Sequence, residues 1–339
     1  MSINSETKTN IFSKTWALTL VALICCALWG SATPAIKTGY LLLRVEGVAS
    51  IMLFAGLRFA LAGVLTVIIF SIARRRVLLP QRENVPRVLL VSVFQTILQY
   101  IFFYLGLAYT SGVKGTVASG SGAFFAVIIA ALIFKQEKLT AKKVIACVIG
   151  FLGIMLMNLD GLKFTNDWLD IMGVAFVLLS TVSSSFSSVL IKKFSSHEDP
   201  VVISGYQFIV GGLFMTAVGF AFGGRITVTG ASGILVLVYL AFLSAIAYSL
   251  WGILLKYNPV SRVTVFNFMT PIFGVILSAL ILEESNKVNP VNLIITLILT
   301  SLGIFILNYN RQPKPVLSAA ADLQLEAKDE TVSESDAEG

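Results

Sequence analysis

The segment YIFFYLGLAYTSGVKGTVASGSGAFFAVIIAALI at Tyr100–Ile133 recurs without a gap as YSLWGILLKYNPVSRVTVFNFMTPIFGVILSALI at Tyr248–Ile281. The two copies share eleven residues of thirty-four, where a chain this apolar gives roughly three or four by composition. The first copy leads into a lysine-rich segment, 135–143, and the second into the acidic pair Glu283 and Glu284. Opposite charge at the ends of two related apolar segments predicts a repeat with inverted topology in a membrane. The alternative is that two leucine-rich helices resemble each other by chance.

The composition is that of a membrane protein. Of the 339 residues, 56% are hydrophobic and 13% are charged, with a mean hydropathy of +0.87, whereas a soluble domain carries about 25% charged residues. Lipid cannot pair the backbone groups of an open strand, so apolar segments of about twenty residues are expected to be helices. Ten such segments, called spans 1 to 10, occupy Trp16–Ile36, Ala49–Ala73, Arg87–Leu107, Val113–Phe134, Ala141–Leu159, Trp168–Ile191, Val201–Phe222, Ala231–Leu255, Val260–Leu282 and Val288–Tyr309. The predicted fold class is an all-α membrane protein of ten transmembrane helices in two inverted five-helix repeats.

The repeats are expected to cover 16–159 and 168–309, with five spans each. A short cytoplasmic segment, 1–15, precedes them, and the acidic sequence of 310–339 predicts a disordered cytoplasmic tail. Eighteen lysines and arginines fall on the side of the N-terminus and six on the other side. This bias places the N-terminal side in the cytoplasm. The expected location is the plasma (inner) membrane, crossed several times, with both termini in the cytoplasm.

Several kinds of chemistry have no basis in the sequence. Cys25, Cys26 and Cys147 lie within spans and lack the spacing of a disulfide framework or metal site, and the single histidine, His197, lies in a polar loop. The sequence has no phosphate-binding loop of the kind that an ATP-driven pump needs. No span offers a clear base that would turn a serine of span 6 into a nucleophile. We therefore expect no enzymatic activity, no cofactor, no metal and, despite a net charge of +7, no nucleic-acid partner.

Short motifs follow one another in a fixed order along the spans. They are Leu28-Trp29-Gly30-Ser31 with Pro34 and Lys37, Leu57-Arg58-Phe59, Ala108-Tyr109-Thr110-Ser111, Phe134-Lys135-Gln136-Glu137, and Pro271 ahead of Leu282-Glu283-Glu284. Together they resemble the EamA-type transporters of the drug/metabolite transporter superfamily, over nearly all of 16–309. The resemblance implies a solute carrier with a central cavity lined by spans 1–4 and 6–9, and with spans 5 and 10 peripheral. One departure is Ala123 in span 4, at the position of Pro271 in span 9.

Polar residues are costly within a bilayer, so those in the spans are candidates for a water-filled pathway. The candidates for substrate binding are Trp29, Arg58, Gln95, Gln99, Tyr100, Ser184, Gln207, Tyr248, Trp251 and Asn267. Gln95 and Gln99 are four residues apart and share a helix face. Arg58, the only formal charge well inside a span, either braces neighbouring helices or binds an anionic substrate group. The serines of span 6 either line the pathway or bond their own backbone where helices pack closely.

These features favour a secondary transporter that moves a small polar metabolite, amino acid-like and either zwitterionic or anionic, across the plasma membrane by alternating access. Export is the expected direction, and the expected gating positions are Pro34, Gly120 and Pro271. The expected partners are a small-molecule substrate and the lipid bilayer, and a homodimer is compatible with the sequence. The alternative is a non-transporting membrane sensor or interaction protein on the same fold, which would show no solute flux.

Overall fold

The computed structural model describes residues 10–159, 162, 167–281 and 289–309. Within these residues the ten expected spans are helices, numbered α1 to α10: Thr15–Leu42, Gly47–Ala73, Arg82–Tyr109, Gly112–Ile133, Ala141–Met157, Trp168–Phe194, Pro200–Ala221, Ala231–Tyr257, Val260–Ile281 and Pro290–Asn308. Nine of them are 19 to 28 residues long and apolar enough to cross a membrane, and α5 has 17 residues. A rise of about 1.5 Å per residue gives α5 a length of roughly 26 Å, near the thickness of the hydrocarbon core. The predicted tail, 310–339, and most of the segment 1–15 lie outside the described residues.

The first helix is longer than the apolar length of span 1 predicts. It continues through Pro34 and ends at Leu42, where the Val45 amide donates to the Tyr40 carbonyl at 2.9 Å and Arg44 has a positive φ of 48°. This hydrogen bond is typical of a helix that ends just before a residue in the left-handed conformation, here Arg44. Apolar length underestimates α1 because a helix keeps its backbone bonds beyond the hydrocarbon region, among polar residues at the interface.

A seam of glycines between α2 and α7 shows that the two halves are inverted. A Cβ added to Gly56 would lie 2.3 Å from the Thr216 nitrogen, and one added to Gly212 would lie 2.2 Å from the Ala60 nitrogen. The same reciprocal relation joins Gly63 with Ile209 and Gly219 with Leu53. Along the seam, residue numbers rise in α2 as they fall in α7, so the two helices are antiparallel. Each contact also has an equivalent with the roles of the helices exchanged, as Gly56 with Thr216 and Gly212 with Ala60 show. Only glycine lets the two backbones approach so closely.

The other helices pack with the same symmetry between the two halves. Helix α1 packs against α8 and α9, while its counterpart α6 packs against the corresponding helices α3 and α4. The outward faces carry exposed apolar side chains such as Leu20, Ile72, Leu213, Phe220 and Ile294, as expected for surfaces in contact with lipid. The predicted fold class, an all-α membrane protein with two inverted repeats, is confirmed.

Helices α4 and α9 are interrupted at the same repeat position. In α4 the chain turns at Ser121, after Gly112–Gly120. In α9 a 3-10 segment, Val265–Phe268, gives way to α-helix at Met269, which is the repeat equivalent of Ser121.

The two helices reach this interruption by different residues. Pro271 has no N–H for the Asn267 carbonyl, which explains the tightened turn in α9. In α4, Gly120 and Gly122 flank the turn, and their backbone freedom permits there the interruption that the missing N–H of Pro271 causes in α9. Ala123 in place of a second proline therefore does not remove the symmetry of the two helices.

Candidate functional site

Two tyrosines at the same repeat position contact each other between the halves. The hydroxyls of Tyr100 in α3 and Tyr248 in α8 are 2.9 Å apart, and the two residues are 148 positions apart, the offset of the repeat. Equivalent residues of a two-fold repeat can touch only where they meet the axis that relates the halves. This contact therefore marks the axis well inside the helices, where carriers built from inverted repeats bind their substrates.

Aromatic rings from four helices surround this contact. The ring of Phe59 in α2 lies 4.4 Å from that of Tyr100 and 5.0 Å from that of Phe208 in α7, and Phe208 lies 4.8 Å from Tyr248. These four rings form a closed circuit around the axis, which we call the aromatic circuit. Tyr100 and Tyr248 are only half-buried although rings from other helices pack against them. This combination indicates accessible space between the halves.

The tryptophans of α1 and α8 extend the aromatic surface. Trp29 packs edge-on against Tyr248 at 5.1 Å and against Trp251 at 5.0 Å. Trp251 is buried, whereas Trp29 is half-buried, and its Nε1 has no hydrogen-bond partner among the described residues. An indole N–H normally finds an acceptor when it is buried. Trp29 therefore presents a free donor beside the axis.

Arg58 brings one formal positive charge to the aromatic circuit. It is 5% exposed, and its guanidinium carbon lies 4.2 Å from the centre of the Phe59 ring. The hydroxyls of Tyr100, Tyr104 and Tyr248 lie within electrostatic range of the guanidinium. Among the described residues no carboxylate forms an ion pair with Arg58, and its Nε has no hydrogen-bond partner.

The cost of this burial is not fully offset by the protein. An arginine at the centre of a spanning helix costs about 3 kcal/mol or more, and a desolvated cation–π contact such as that with Phe59 returns about 2 kcal/mol. Hydroxyl groups accept hydrogen bonds from the guanidinium but carry no compensating charge. The site is therefore electropositive and short of an anion.

The predicted amides occupy two kinds of environment. Gln95 and Gln207 are buried, and Gln207 accepts a hydrogen bond from the Thr96 hydroxyl at 2.6 Å. The Oε1 of Gln95 and the Nε2 of Gln207 have no partners among the described residues. Gln99 and Asn267 are half-buried, so their amides reach accessible space.

Gln95 lies in a π-helical stretch, Val93–Leu98, that the sequence does not predict. The wider turn changes the angle between residues four apart, so the two glutamines of α3 are not placed as in a regular helix. A carbonyl of the stretch, that of Phe94, accepts a hydrogen bond from the Ser183 hydroxyl of α6 at 2.6 Å. The irregular backbone is thus supported from a neighbouring helix.

The serines of α6 bond mainly to backbone. Ser184 donates to the Thr181 carbonyl of its own helix at 2.9 Å, and Ser185 donates both to Thr181 and to the Gly122 carbonyl of α4. These bonds are typical of serines where helices pack closely. The structure does not bring Ser184 into the aromatic circuit.

The predicted gating positions lie where helices touch. Pro34 is buried in α1, one turn from Gly30, where an added Cβ would lie 2.5 Å from the Phe273 side chain of α9. Gly120 lies at the interruption of α4, and Pro271 at the equivalent interruption of α9. Pro34 and Pro271 therefore lie in two helices that pack against each other, α1 and α9, while Gly120 lies in α4, which packs against α6 in the equivalent way.

A carboxylate of the motif Phe134-Lys135-Gln136-Glu137 joins the two halves at the face on which the N-terminus lies. Glu137, after α4, accepts hydrogen bonds from the Ser261 amide at 3.1 Å and the Ser261 hydroxyl at 2.5 Å, at the start of α9. The Lys143 ammonium also donates to Glu137, at 2.6 Å. We call the Glu137–Ser261 contact the latch. Its only signal in the sequence is the position of Glu137 in a motif shared by both repeats.

Other contacts join the halves as well. At the same face, Arg74 pairs with Asp199, and the Asn84 amide donates to Glu198 at 3.1 Å. At the opposite face, Lys114 pairs with Asp170. Movement of one half relative to the other must break some of these contacts.

Comparisons with known proteins agree with this architecture. A model described as the EamA-like transporter family matches residues 16–159 and 171–309. An uncharacterized transporter from Archaeoglobus fulgidus is 26% identical over 271 residues, which are 78% of this chain and 90% of its own. A probable amino-acid metabolite efflux pump from Escherichia coli is 28% identical over 279 residues, which are 78% of this chain and 87% of its own. A crystal structure with 19% identity has a TM-score of 0.71 over 86% of this chain and 97% of that chain, so it shares the fold.

The matched residues comprise most of the chain and fall on the two halves that the glycine seam relates by inversion. The relatives are named as transporters, and the helices are long and apolar enough to cross a membrane many times. The chain therefore belongs to the EamA-like transporter family, within the drug/metabolite transporter superfamily.

Proposed function

We propose that this protein is a secondary transporter that exports a small polar metabolite, zwitterionic or anionic, by alternating access around the aromatic circuit. The observation that carries the proposal is the contact of Tyr100 with Tyr248 on the axis between the halves. A solute bound on that axis contacts both inverted halves equally. When the two halves exchange conformations, the binding site opens first to one face of the membrane and then to the other. The name of the Escherichia coli relative supports a small metabolite and the outward direction.

The residues around the axis divide into those that bind the solute and those that act as hinges. Trp29, Arg58, Tyr100, Tyr248 and Trp251 surround the solute, and the half-buried amides of Gln99 and Asn267 offer it further hydrogen bonds. The interruptions at Gly120 and Pro271 act as hinges, and Pro34 lies in α1, the helix that packs against α9. Gln95, Ser184 and Gln207 are given no role here, because they are buried or bonded to neighbouring groups. Substrate binding by these three residues stays a prediction.

The two half-buried amides give the first test. Gln99→Leu and Asn267→Leu are each expected to lower flux at least about tenfold while the melting temperature stays nearly constant, because each removes a hydrogen-bonding group that faces accessible space. Flux is measured by mass spectrometry of solutes released from proteoliposomes loaded with a metabolite extract.

Ser184→Ala is the matched control, because its hydroxyl bonds its own helix, and flux should stay within about twofold of wild type. Wild-type flux in both leucine variants would show that the amides pack helices and do not serve the pathway. If the wild-type protein moves no solute, the alternative function, a non-transporting membrane sensor or interaction protein, is favoured over a carrier.

Orientation gives a separate test. We propose that the protein resides in the plasma membrane with its repeats at 16–159 and 168–309 and both termini in the cytoplasm, because the positive charge is concentrated on the N-terminal side. In a background without native cysteines, a cysteine at Arg75 is expected to be protected from impermeant thiol reagents in intact cells. A cysteine at Arg225, an exposed residue of the opposite face, should be labelled. Labelling at Arg75 from outside contradicts this orientation.

A further inference from the structure

We infer that the substrate is an organic monoanion, whose carboxylate binds Arg58 and the neighbouring tyrosine hydroxyls and whose apolar body lies against the aromatic circuit and Trp29. This inference rests on the proposed function and narrows it. Four features of the described residues carry it: an uncompensated cation, the donors around that cation, the lack of a second cation, and the lack of an acidic partner for a substrate cation.

Arg58 supplies the cation. Its side chain is buried between helices, it forms no ion pair with a described carboxylate, and its Nε lacks a partner among the described residues. Such a charge in a spanning helix is a functional site by default, because only an opposite charge compensates it. The planar guanidinium has five N–H donors and is suited to binding both oxygens of a carboxylate.

The tyrosines supply further donors. Tyr100 and Tyr248 share one hydrogen bond between their hydroxyls, so one of the two O–H groups is used in it and the other is left to donate elsewhere. Tyr104 lies within electrostatic range of Arg58 as well. A carboxylate bound by Arg58 could therefore accept a hydrogen bond from a tyrosine without breaking the contact across the axis.

Among the residues that the structure describes, Arg58 is the one cation at the site, and the other repeat has no equivalent cation. In the register of the glycine seam, where Gly56 corresponds to Gly212, the counterpart of Arg58 is Phe214, which is exposed on the outer surface of α7. A second anionic group on the substrate would thus find no partner of opposite charge. One negative charge is compensated, and a second is not.

A substrate ammonium would lack an acidic partner. The described acidic residues all lie in loops or at helix ends, and they are Glu46, Glu83, Glu137, Asp167, Asp170, Glu198 and Asp199. Beside the axis a cation would meet ring faces and the positive charge of Arg58. The charge balance therefore favours an acid without an amine over a zwitterion.

Pairs of ligands that share a body and differ in charge test this inference. Binding to purified protein is measured by thermal shift and by quenching of tryptophan fluorescence, since Trp29 and Trp251 adjoin the circuit. The probes are acetate with acetamide, phenylacetate with phenylacetamide, and indole-3-acetate with its amide. Phenethylamine, phenylalanine and phenylsuccinate supply the cation, the zwitterion and the dianion.

We expect at least a tenfold preference for the acid over the amide in the aromatic pairs, with phenylalanine and phenylsuccinate also weaker than phenylacetate. Arg58→Gln should abolish that preference, Arg58→Lys should retain part of it, and Lys37→Gln, which removes an exposed cation of α1, should leave it unchanged. If Arg58→Gln does not fold, the ligand series on the wild-type protein and Tyr104→Phe, which should weaken acid binding severalfold, still decide the matter.

No preference for acids over amides, whether both bind or neither binds, overturns the inference, as does tighter binding of phenylalanine than of phenylacetate. The proposed function fails separately. A protein that prefers acids but moves no solute is an anion-binding protein and not a carrier, whereas one that moves amines or amides without acid preference is a carrier without this anion site.

Discussion

Replacing Gly212 by leucine is expected to leave no folded protein in the membrane. A Cβ at this position would lie 2.2 Å from the Ala60 nitrogen and 2.7 Å from the Ala60 Cα, whereas carbon atoms in contact are about 3.5 Å apart or more. The atoms in the way belong to backbone, so no side-chain rotation can relieve the clash. Overpacking a core costs about 1–3 kcal/mol when side chains can move, and more is expected here, against a total stability of about 5–15 kcal/mol.

The measurement is the yield and melting temperature of monodisperse protein on size-exclusion chromatography. Gly56→Leu should have the same effect, because Gly56 is the seam equivalent of Gly212 and faces the Thr216 backbone. Gly112→Leu is the control at the start of α4, where an added Cβ meets nothing within 4 Å. A Gly212→Leu protein with wild-type melting temperature would mean that α2 and α7 do not pack as described.

The inversion of the two halves is the part of the fold that the sequence predicts best. Its signals are the shared residues of Tyr100–Ile133 and Tyr248–Ile281 and the opposite charges that follow them, and both are local and countable. The lengths of helices are predicted less well, as α1 shows, because hydrogen bonding continues past the apolar segment. The π-helical stretch Val93–Leu98 has no signal in the sequence, since it depends on a partner from α6, Ser183, that is far away along the chain.

The sequence likewise predicts some residues of the candidate site and not others. Polar or charged residues in a span attract attention because lipid penalises them, so Arg58, Tyr100 and Tyr248 are found from the sequence. Phe208 has no signal in the sequence and Phe59 appears only as part of a motif beside Arg58, because a phenylalanine in a span is indistinguishable from one that faces lipid and the chain has 24 of them. Only the tertiary structure shows that these two rings close the circuit around the axis.

The latch between the two halves leads to the second prediction of a large effect. In the proposed alternating access, the loop after α4 and the start of α9 are expected to separate at some point in each cycle, since they belong to different halves. Glu137 and Ser261 hold these segments together through two hydrogen bonds. Joining the same positions covalently should therefore stop the cycle without disturbing the folded state.

The variant for this experiment carries Glu137→Cys and Ser261→Cys in a background where Cys25, Cys26 and Cys147 are alanine. A short bifunctional thiol reagent with a reducible link joins the two cysteines, since a cysteine side chain is shorter than that of glutamate. The matched control carries Glu137→Cys and Lys143→Cys, which cross-links two positions of the same half that also contact each other. Both pairs receive the same reagent, so only the connection between the halves differs.

Solute flux in proteoliposomes before cross-linking, after it and after reduction tests alternating access between the halves most directly. The solute is the one that mass spectrometry identifies as transported by the wild-type protein. Alternating access predicts that flux through the Glu137→Cys/Ser261→Cys protein falls to background on cross-linking and returns on reduction, while the control pair transports throughout. Undiminished flux in a fully cross-linked Glu137→Cys/Ser261→Cys protein would contradict it, because the solute would then cross without separation of the halves at this face.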